Sequence, residues 1–286
     1  MIMHIEHLKL NTTFLKQLDR CDKMTIEKPS HELSVGEILS LTFNLYLSKF
    51  WQFFLPFLVA GIIMGLSTYA ITSAFPLPVQ PSPTVSYEEL VEWLFAFFSV
   101  TITIGVLSGL VSWIVGAITV GVVIKCASDQ IEKGTSNLGI SFDFAISKLP
   151  LLLVAQLVAG ILTLVGLVLF VVPGIIIAIM FSLIIPTIIV EQRGAFESLG
   201  RSRRLVSNRW LKIFALLLVL GIIVGIVTGV AIMLAMPFNT SYPVISPLIT
   251  NVIPAFVSPI YPIAITCLYY AMVAREIPPP PPPPTL

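Results

Sequence analysis

Six apolar stretches run through this chain, at about residues 51–75, 91–124, 149–170, 175–190, 211–234 and 244–273, and the connectors between them alternate in character. The connectors at 1–50, 125–148, 191–212 and 275–286 hold all 16 Lys and Arg residues, whereas those at 76–90, 171–174 and 237–245 hold none. A bilayer core of roughly 30 Å takes about 20 apolar helical residues. Positive charge resists translocation, so loops rich in Lys and Arg stay in the cytoplasm. The pattern predicts an all-α polytopic protein of the cell membrane, with six spans and both termini cytoplasmic.

Two stretches depart from a simple helix. The run 91–124 is too long for a perpendicular span at 1.5 Å per residue. It fits one long tilted helix or two helices. Two would carry the basic cluster of residues 201–212 to the outside, so one is expected. The last stretch contains Pro243, Pro247, Pro254, Pro259 and Pro262. Its early part is expected to be irregular or re-entrant, with firm helix from about Pro259. Between the third and fourth stretches, Val172-Pro173-Gly174 reads as a tight turn.

An internal repeat runs through these elements. Leu45-Tyr46-Leu47-Ser48-Lys49-Phe50-Trp51 with Gly61 and Gly65 aligns without a gap on Leu205-Val206-Ser207-Asn208-Arg209-Trp210-Leu211 with Gly221 and Gly225. A weaker copy covers Phe142 to Lys148, with Gly160 after it. Each copy reads as a short interfacial amphipathic helix on the cytoplasmic side followed by a hairpin of two spans, giving three hairpin units. Ser34 and Glu37 have the spacing of a capping box. Behind them Glu37, Ser40, Asn44 and Ser48 form a polar stripe against Ile38, Leu41 and Leu45. In the helix after residue 195, Phe196, Leu199, Val206 and Trp210 are expected on one side, and Arg201, Arg204 and Asn208 on another. The repeats share one orientation, unlike the inverted pairs of many carriers.

Composition narrows the picture further. A hydrophobic share of 56% and a charged share of 11% exclude an ordinary soluble domain. The net charge of +1 gives no reason to expect nucleic acid. Residues 1–32 are polar and lack the apolar core of a signal peptide, so the first span is expected to direct insertion itself. The membrane domain then occupies 33–276, and a proline-rich cytoplasmic tail 277–286. Cys21, Cys126 and Cys267 are widely spaced and suggest neither disulfides nor a metal site.

Chemistry is sparse. His4, His7 and His31 are confined to the N-terminal segment, and no span carries a central ionisable residue. That composition points away from a Ser-His or metal-centred enzyme and from a proton-coupled carrier. No cofactor is expected. The cluster Arg201, Arg203, Arg204, Arg209 and Lys212 reads first as an orientation determinant and snorkelling anchor, and alternatively as a site for anionic lipid headgroups. Gly61 with Gly65, and Gly221 with Gly225 and Gly229, have the small-xxx-small spacing that lets helices pack closely, within the chain or in a homo- or hetero-oligomer. Residues 278–284, with Pro278, Pro281 and Pro284, form a polyproline run that either docks on a cytoplasmic protein or acts as a spacer. Asn239 opens a glycosylation sequon in a predicted external loop.

Several passages in order resemble a known family. They are Val35 to Tyr46, Val172-Pro173-Gly174 with Ile175 to Ile177, Glu191 through Val206, and Leu268-Tyr269-Tyr270 followed by Arg275. Together they resemble the six-span membrane domain associated with glycerophosphoryl diester phosphodiesterases, including its stand-alone relatives, over about residues 33–276. In fused members a separate soluble barrel performs hydrolysis, and no such barrel is seen here. The resemblance therefore implies architecture, and phosphodiesterase chemistry is not expected. The function expected is that of a non-enzymatic scaffold or accessory subunit, binding lipid headgroups or a cytoplasmic protein. The alternative is a transporter or channel for a small or lipidic solute.

Overall fold

A computed structural model describes residues 28–82, 84–239 and 242–276. Among the described residues, helices α1 to α11 and two short 3-10 turns account for the regular structure, and there is no strand. Six helical runs are long and apolar enough to cross a membrane: Phe50–Ala74, Tyr87–Lys133, Leu149–Leu169, Val171–Val190, Trp210–Phe238 and Ile245–Glu276. The protein is a multi-pass membrane protein.

Helix α1 (Val35–Ser48) begins at the expected capping box, in which the Glu37 amide donates to Ser34 Oγ at 3.3 Å and the Ser34 amide to Glu37 Oε2 at 2.7 Å. Two otherwise unpaired amides are thereby satisfied. Ile38 and Leu45 on its inner face are fully buried. The backbone breaks at Lys49 and re-forms as α2 (Phe50–Ala74). Helix α3 (Tyr87–Lys133) is a single helix of 47 residues, about 70 Å long at 1.5 Å per residue. A second capping box, Ser86 with Glu89, starts it, and Gly134 in the left-handed region ends it. The single long helix is the expected outcome for 91–124, extended at both ends.

Helix α4 (Leu138–Ser147) is capped by Asn137 and leads through Lys148 into α5 (Leu149–Leu169). The reversal after α5 falls at Phe170, whose backbone is extended, and not at Val172-Pro173-Gly174. That tripeptide lies in the first turn of α6 (Val171–Met180). Proline is tolerated there because first-turn amides have no intrahelical partner. Gly174 serves contact: a Cβ on it would stand 2.6 Å from the Leu167 amide nitrogen, so α5 and α6 meet backbone to backbone. Residues 181–183 interrupt the run before α7 (Ile184–Val190). Ser202 bridges the gap, accepting from the Leu183 amide at 3.2 Å and donating to the Met180 carbonyl at 2.6 Å.

Ser202 belongs to α8 (Ala195–Val206), which breaks at Asn208 and continues as α9 (Trp210–Ala235). Helix α8 buries Ala195, Ser198, Ser202, Leu205 and Val206. The expected apolar side of Phe196, Leu199, Val206 and Trp210 is divided: Val206 is buried and Leu199 packs against the core, whereas Phe196 is 72% exposed. Ala195, Ser198 and Ser202 are buried in the first three turns of α8, and Leu205 and Val206 at its end join the main core.

The last run has firm helix from Ile260 as expected, but its early part is also helical and the irregular stretch is confined to residues 253–259. Helix α10 (Ile245–Val252) passes through a 3-10 turn (Ile253–Phe256) before α11 (Ile260–Glu276). The Tyr46 hydroxyl of α1 donates to the Phe256 carbonyl at 2.7 Å, holding the turn in place. This run is the centre of the bundle: 61% of its apolar window is buried, against 17% in the third and fifth. Leu268, Ile263 and Cys267 of α11 pack with Phe53, Val123 and Leu216 in one core. A second core joins Ile124 of α3, Leu152 of α5 and Ile188 of α7. Lipid tails are as apolar as these side chains, so close packing and not dehydration holds the helices together.

Candidate functional site

Many charged residues concentrate at one end of the bundle, where polar contacts join several of the runs and their connectors. Helix α11 is the hub of this collar. The Tyr269 hydroxyl donates to Glu191 Oε1 at 2.9 Å, and the Tyr270 hydroxyl to Glu132 Oε1 at 2.9 Å. Tyr270 also shares a hydrogen bond with Ser128 at 2.7 Å. Glu191, at the end of α7, is clasped by Arg193 and by Arg201 Nε at 2.8 Å. Arg201 also grips Glu276 with both terminal nitrogens, each at 2.7 Å. A fork of this kind suits guanidinium geometry and would not be reproduced by lysine.

Further ties lie at the same end of the bundle. Arg209 Nε and Lys212 Nζ both donate to Glu32 Oε1 at 2.7 Å, pinning the segment before α1 onto the start of α9. Lys125 and Lys133 flank Asp129 at 2.9 and 2.7 Å. Ser136 donates to Gln52 Oε1 at 2.6 Å, linking the loop after α3 to the start of α2.

These contacts shift titration. Hydrogen bonds from Arg209 and then Lys212 outweigh desolvation and hold the Glu32 carboxyl down at about 2. Burial alone would raise the Glu191 carboxyl, but Arg201, Arg193 and Tyr269 outweigh it and keep it below the ordinary carboxylate range. Glu276, and after it Glu191, pushes the Arg201 guanidinium above its ordinary value.

The basic cluster thus divides. Arg201, Arg209 and Lys212 are committed to internal carboxylates. Arg203 and Arg204 are exposed and make no ion pair among the described residues. Lys49 and Lys148, at the joints before α2 and α5, have no carboxylate partner there either, although Lys148 lies over the Phe144 ring at 5.8 Å. Sequence reading missed Glu32, Tyr269 and Tyr270 as partners. Their signal was present in the alternation of connectors, which gathers these distant positions at one end without saying which pair.

The glycines divide as well. Gly61 and Gly65 of α2 lie against α10, where a Cβ would stand 2.6 Å from the Asn251 carbonyl oxygen and 3.0 Å from that of Pro247. At Gly221, Gly225 and Gly229 a Cβ would meet nothing within 4 Å. Cys126 and Cys267 are free and buried. Among the described residues no three His, Cys, Asp or Glu side chains gather as a metal site. Cys21, His4, His7, Pro278, Pro281 and Pro284 lie outside the described residues, as do the last two positions of the sequon.

Comparison with known proteins adds a family and no activity. No curated protein and no solved structure matches the chain. A family model described as a domain of unknown function, DUF7847, matches residues 30–275, and it carries no link to the phosphodiesterase membrane domain. That match covers the first five apolar runs and all but the last residue of the sixth, and every collar residue except Glu276; the chain accordingly belongs to the DUF7847 family.

Proposed function

We propose that this protein is a non-enzymatic membrane scaffold or accessory subunit whose cytoplasmic face rests on anionic lipid headgroups. In this reading both termini are cytoplasmic, and α1, α4 and α8 lie in the headgroup layer, each leading into a hairpin of spans. The observation that carries it is the set of uncommitted inner cations. Lys49, Lys148, Arg203 and Arg204 pair with no carboxylate among the described residues, and exposed Trp51, Phe142 and Phe196 stand beside them. Asp143, Glu197 and Glu37 offset part of that charge. Cations flanked by apolar anchors suit a charged membrane surface, each contributing about 1 kcal/mol there. The resemblance to the phosphodiesterase membrane domain is consistent with such a role and adds no chemistry. A cytoplasmic protein recruited by Pro278, Pro281 and Pro284 completes the scaffold reading.

The test is the lipid that the full-length protein retains. Native mass spectrometry after extraction from a mixed bilayer should show enrichment of phosphatidylglycerol over phosphatidylcholine. Reversal of Arg203, Arg204, Lys49 and Lys148 to Glu should abolish the enrichment while the fold persists. Unchanged enrichment in that variant would show that the collar does not read headgroup charge.

The broken sixth run favours a second reading, a transporter or channel for a small or lipidic solute. Residues 253–259 interrupt the helical ladder within an apolar run, as discontinuous helices do in carriers. Single cysteines along 243–262 react with a water-soluble maleimide if a water path exists, and remain unlabelled in a sealed scaffold.

A further inference from the structure

Two adjoining cavities lie along α9 within the bundle, the first bounded also by α2 and α3. The first, about 290 Å³, is lined by Ser112 and Thr119 of α3, Thr228 of α9, and Thr250, Asn251 and Ser258 of the broken run. The second, about 630 Å³, is lined by α9 and α11 and shares Phe57, Thr228 and Ser258 with the first. Ligand pockets commonly measure roughly 300–1,000 Å³. Thr228 stands about 27 Å along α9 from Trp210, within a hydrocarbon core of roughly 30 Å. The space is polar at one end and apolar at the other, and it lies along a run apolar enough to cross a membrane.

The polar end has a definite chemistry. Thr119 donates to the Val115 carbonyl at 2.7 Å, Ser258 to the Pro254 carbonyl at 2.8 Å, and Thr250 to the Pro247 carbonyl at 3.1 Å. The Asn251 amide nitrogen donates to the Pro247 carbonyl at 2.8 Å. The three hydroxyls have thus spent their protons on backbone carbonyls and keep only acceptor capacity, and the Asn251 side-chain oxygen accepts from no donor among the described residues. Thr228 has no hydrogen-bond partner among the described residues. No lining residue of either cavity is charged. A set of acceptors calls for a donor, and an ionised headgroup buried there would have no counter-charge.

The apolar end is made by omission. Gly221, Gly225 and Gly229 line the second cavity, and its volume lies where their side chains would be. Leu217, Val224 and Ile232 complete a hydrocarbon wall beside them.

We propose that this cleft binds a neutral, hydroxyl-bearing lipid, its hydroxyl donating to the oxygens of Thr228, Ser258 and Asn251 and its chain lying along the glycine face of α9. The site is independent of the headgroup reading, since none of its residues belongs to the collar.

The experiment uses full-length protein in phosphatidylcholine nanodiscs with a diacylglycerol carrying a diazirine in one acyl chain. After illumination, cross-links should concentrate on peptides covering 217–232 and 250–262. Thr228→Val keeps the shape and removes one neutral hydrogen bond, so labelling should fall about fivefold. Gly225→Phe, at a position where a Cβ meets nothing within 4 Å, puts a ring into the apolar arm and should nearly abolish labelling. Both variants should elute and melt like the parent protein. Reversal of Arg203 and Arg204 should leave the labelling unchanged, which separates this site from the collar. The proposal is overturned if labelling spreads evenly over the lipid-facing helices, or persists in Gly225→Phe. It is equally overturned if a diazirine phosphatidylglycerol labels the same peptides as strongly.

Discussion

The joint between α1 and α2 and the joint between α8 and α9 are two copies of one sequence pattern, and they use it differently. At the joints the backbone is nearly the same: Lys49 has φ −131° and ψ 42°, and the aligned Arg209 has φ −134° and ψ 21°. Each cation sits where a short helix stops and a span begins. The glycines that follow then diverge. Gly61 and Gly65 face α10 so closely that no side chain fits, whereas the aligned Gly221 and Gly225 face open volume. The cause lies in the chain order. Helix α10 follows α9 but crosses onto α2, so the first copy gains a partner and the second is left with a cleft. Small-xxx-small spacing can therefore mean closeness or vacancy, and only the neighbouring elements decide which.

Substitution at the aligned glycines tests that difference most strongly. In Gly61→Leu the new Cβ meets the Asn251 carbonyl, which is backbone and cannot swing aside. The expected loss is about 3 kcal/mol, the upper end of typical overpacking. Gly221→Leu should change stability by no more than about 0.5 kcal/mol, like a substitution at an unpacked surface. Thermal unfolding of the two variants in the same detergent reads the comparison directly. Equal destabilisation would mean that α9 has a close partner in the membrane and that the cleft is filled by protein.

Much of this architecture was legible because it depends on local or one-dimensional signals. The six runs follow from apolar length, the single helix at 91–124 from the placement of Arg201 to Lys212, and the start of α1 from the Ser34 and Glu37 spacing. The break near Pro259 follows from proline chemistry. The misreadings share a different cause. Val172-Pro173-Gly174 looks like a turn, but its glycine serves the contact with Leu167, and contact partners are invisible in a single chain. The burial of Ser198 and Ser202 in α8 was not legible because both look polar, and only the partners of Ser202 in the gap after α6 explain its place. Glu32 was grouped with the polar N-terminal segment, and nothing local distinguishes it from its neighbours. The cleft was foreshadowed only by Pro247, Pro254 and Pro259, which signal irregular backbone without saying what it encloses.

The joints themselves supply a finer contrast, because Arg209 is paired and Lys49 is not. Glu32 accepts from both Arg209 and Lys212, with side-chain exposures of 20%, 42% and 19% respectively. Its carboxyl titrates at about 2 when folded, down from 4.5. A depressed carboxylate stabilises the fold above the unfolded value, and that contribution is lost as pH falls through the folded value. Glu32→Gln should thus cost about 1 kcal/mol near neutral pH, a modest figure because Arg209 is well solvated. The difference from the parent protein should stay level down to about pH 4.5 and shrink steadily toward pH 2. Lys49→Met should show no such profile, and should shift stability by no more than about 0.5 kcal/mol at any pH. Melting curves of the three proteins across that range decide the matter. If Glu32→Gln and Lys49→Met prove indistinguishable, the second joint gains nothing from its ion pair, and the two copies differ in their glycines alone.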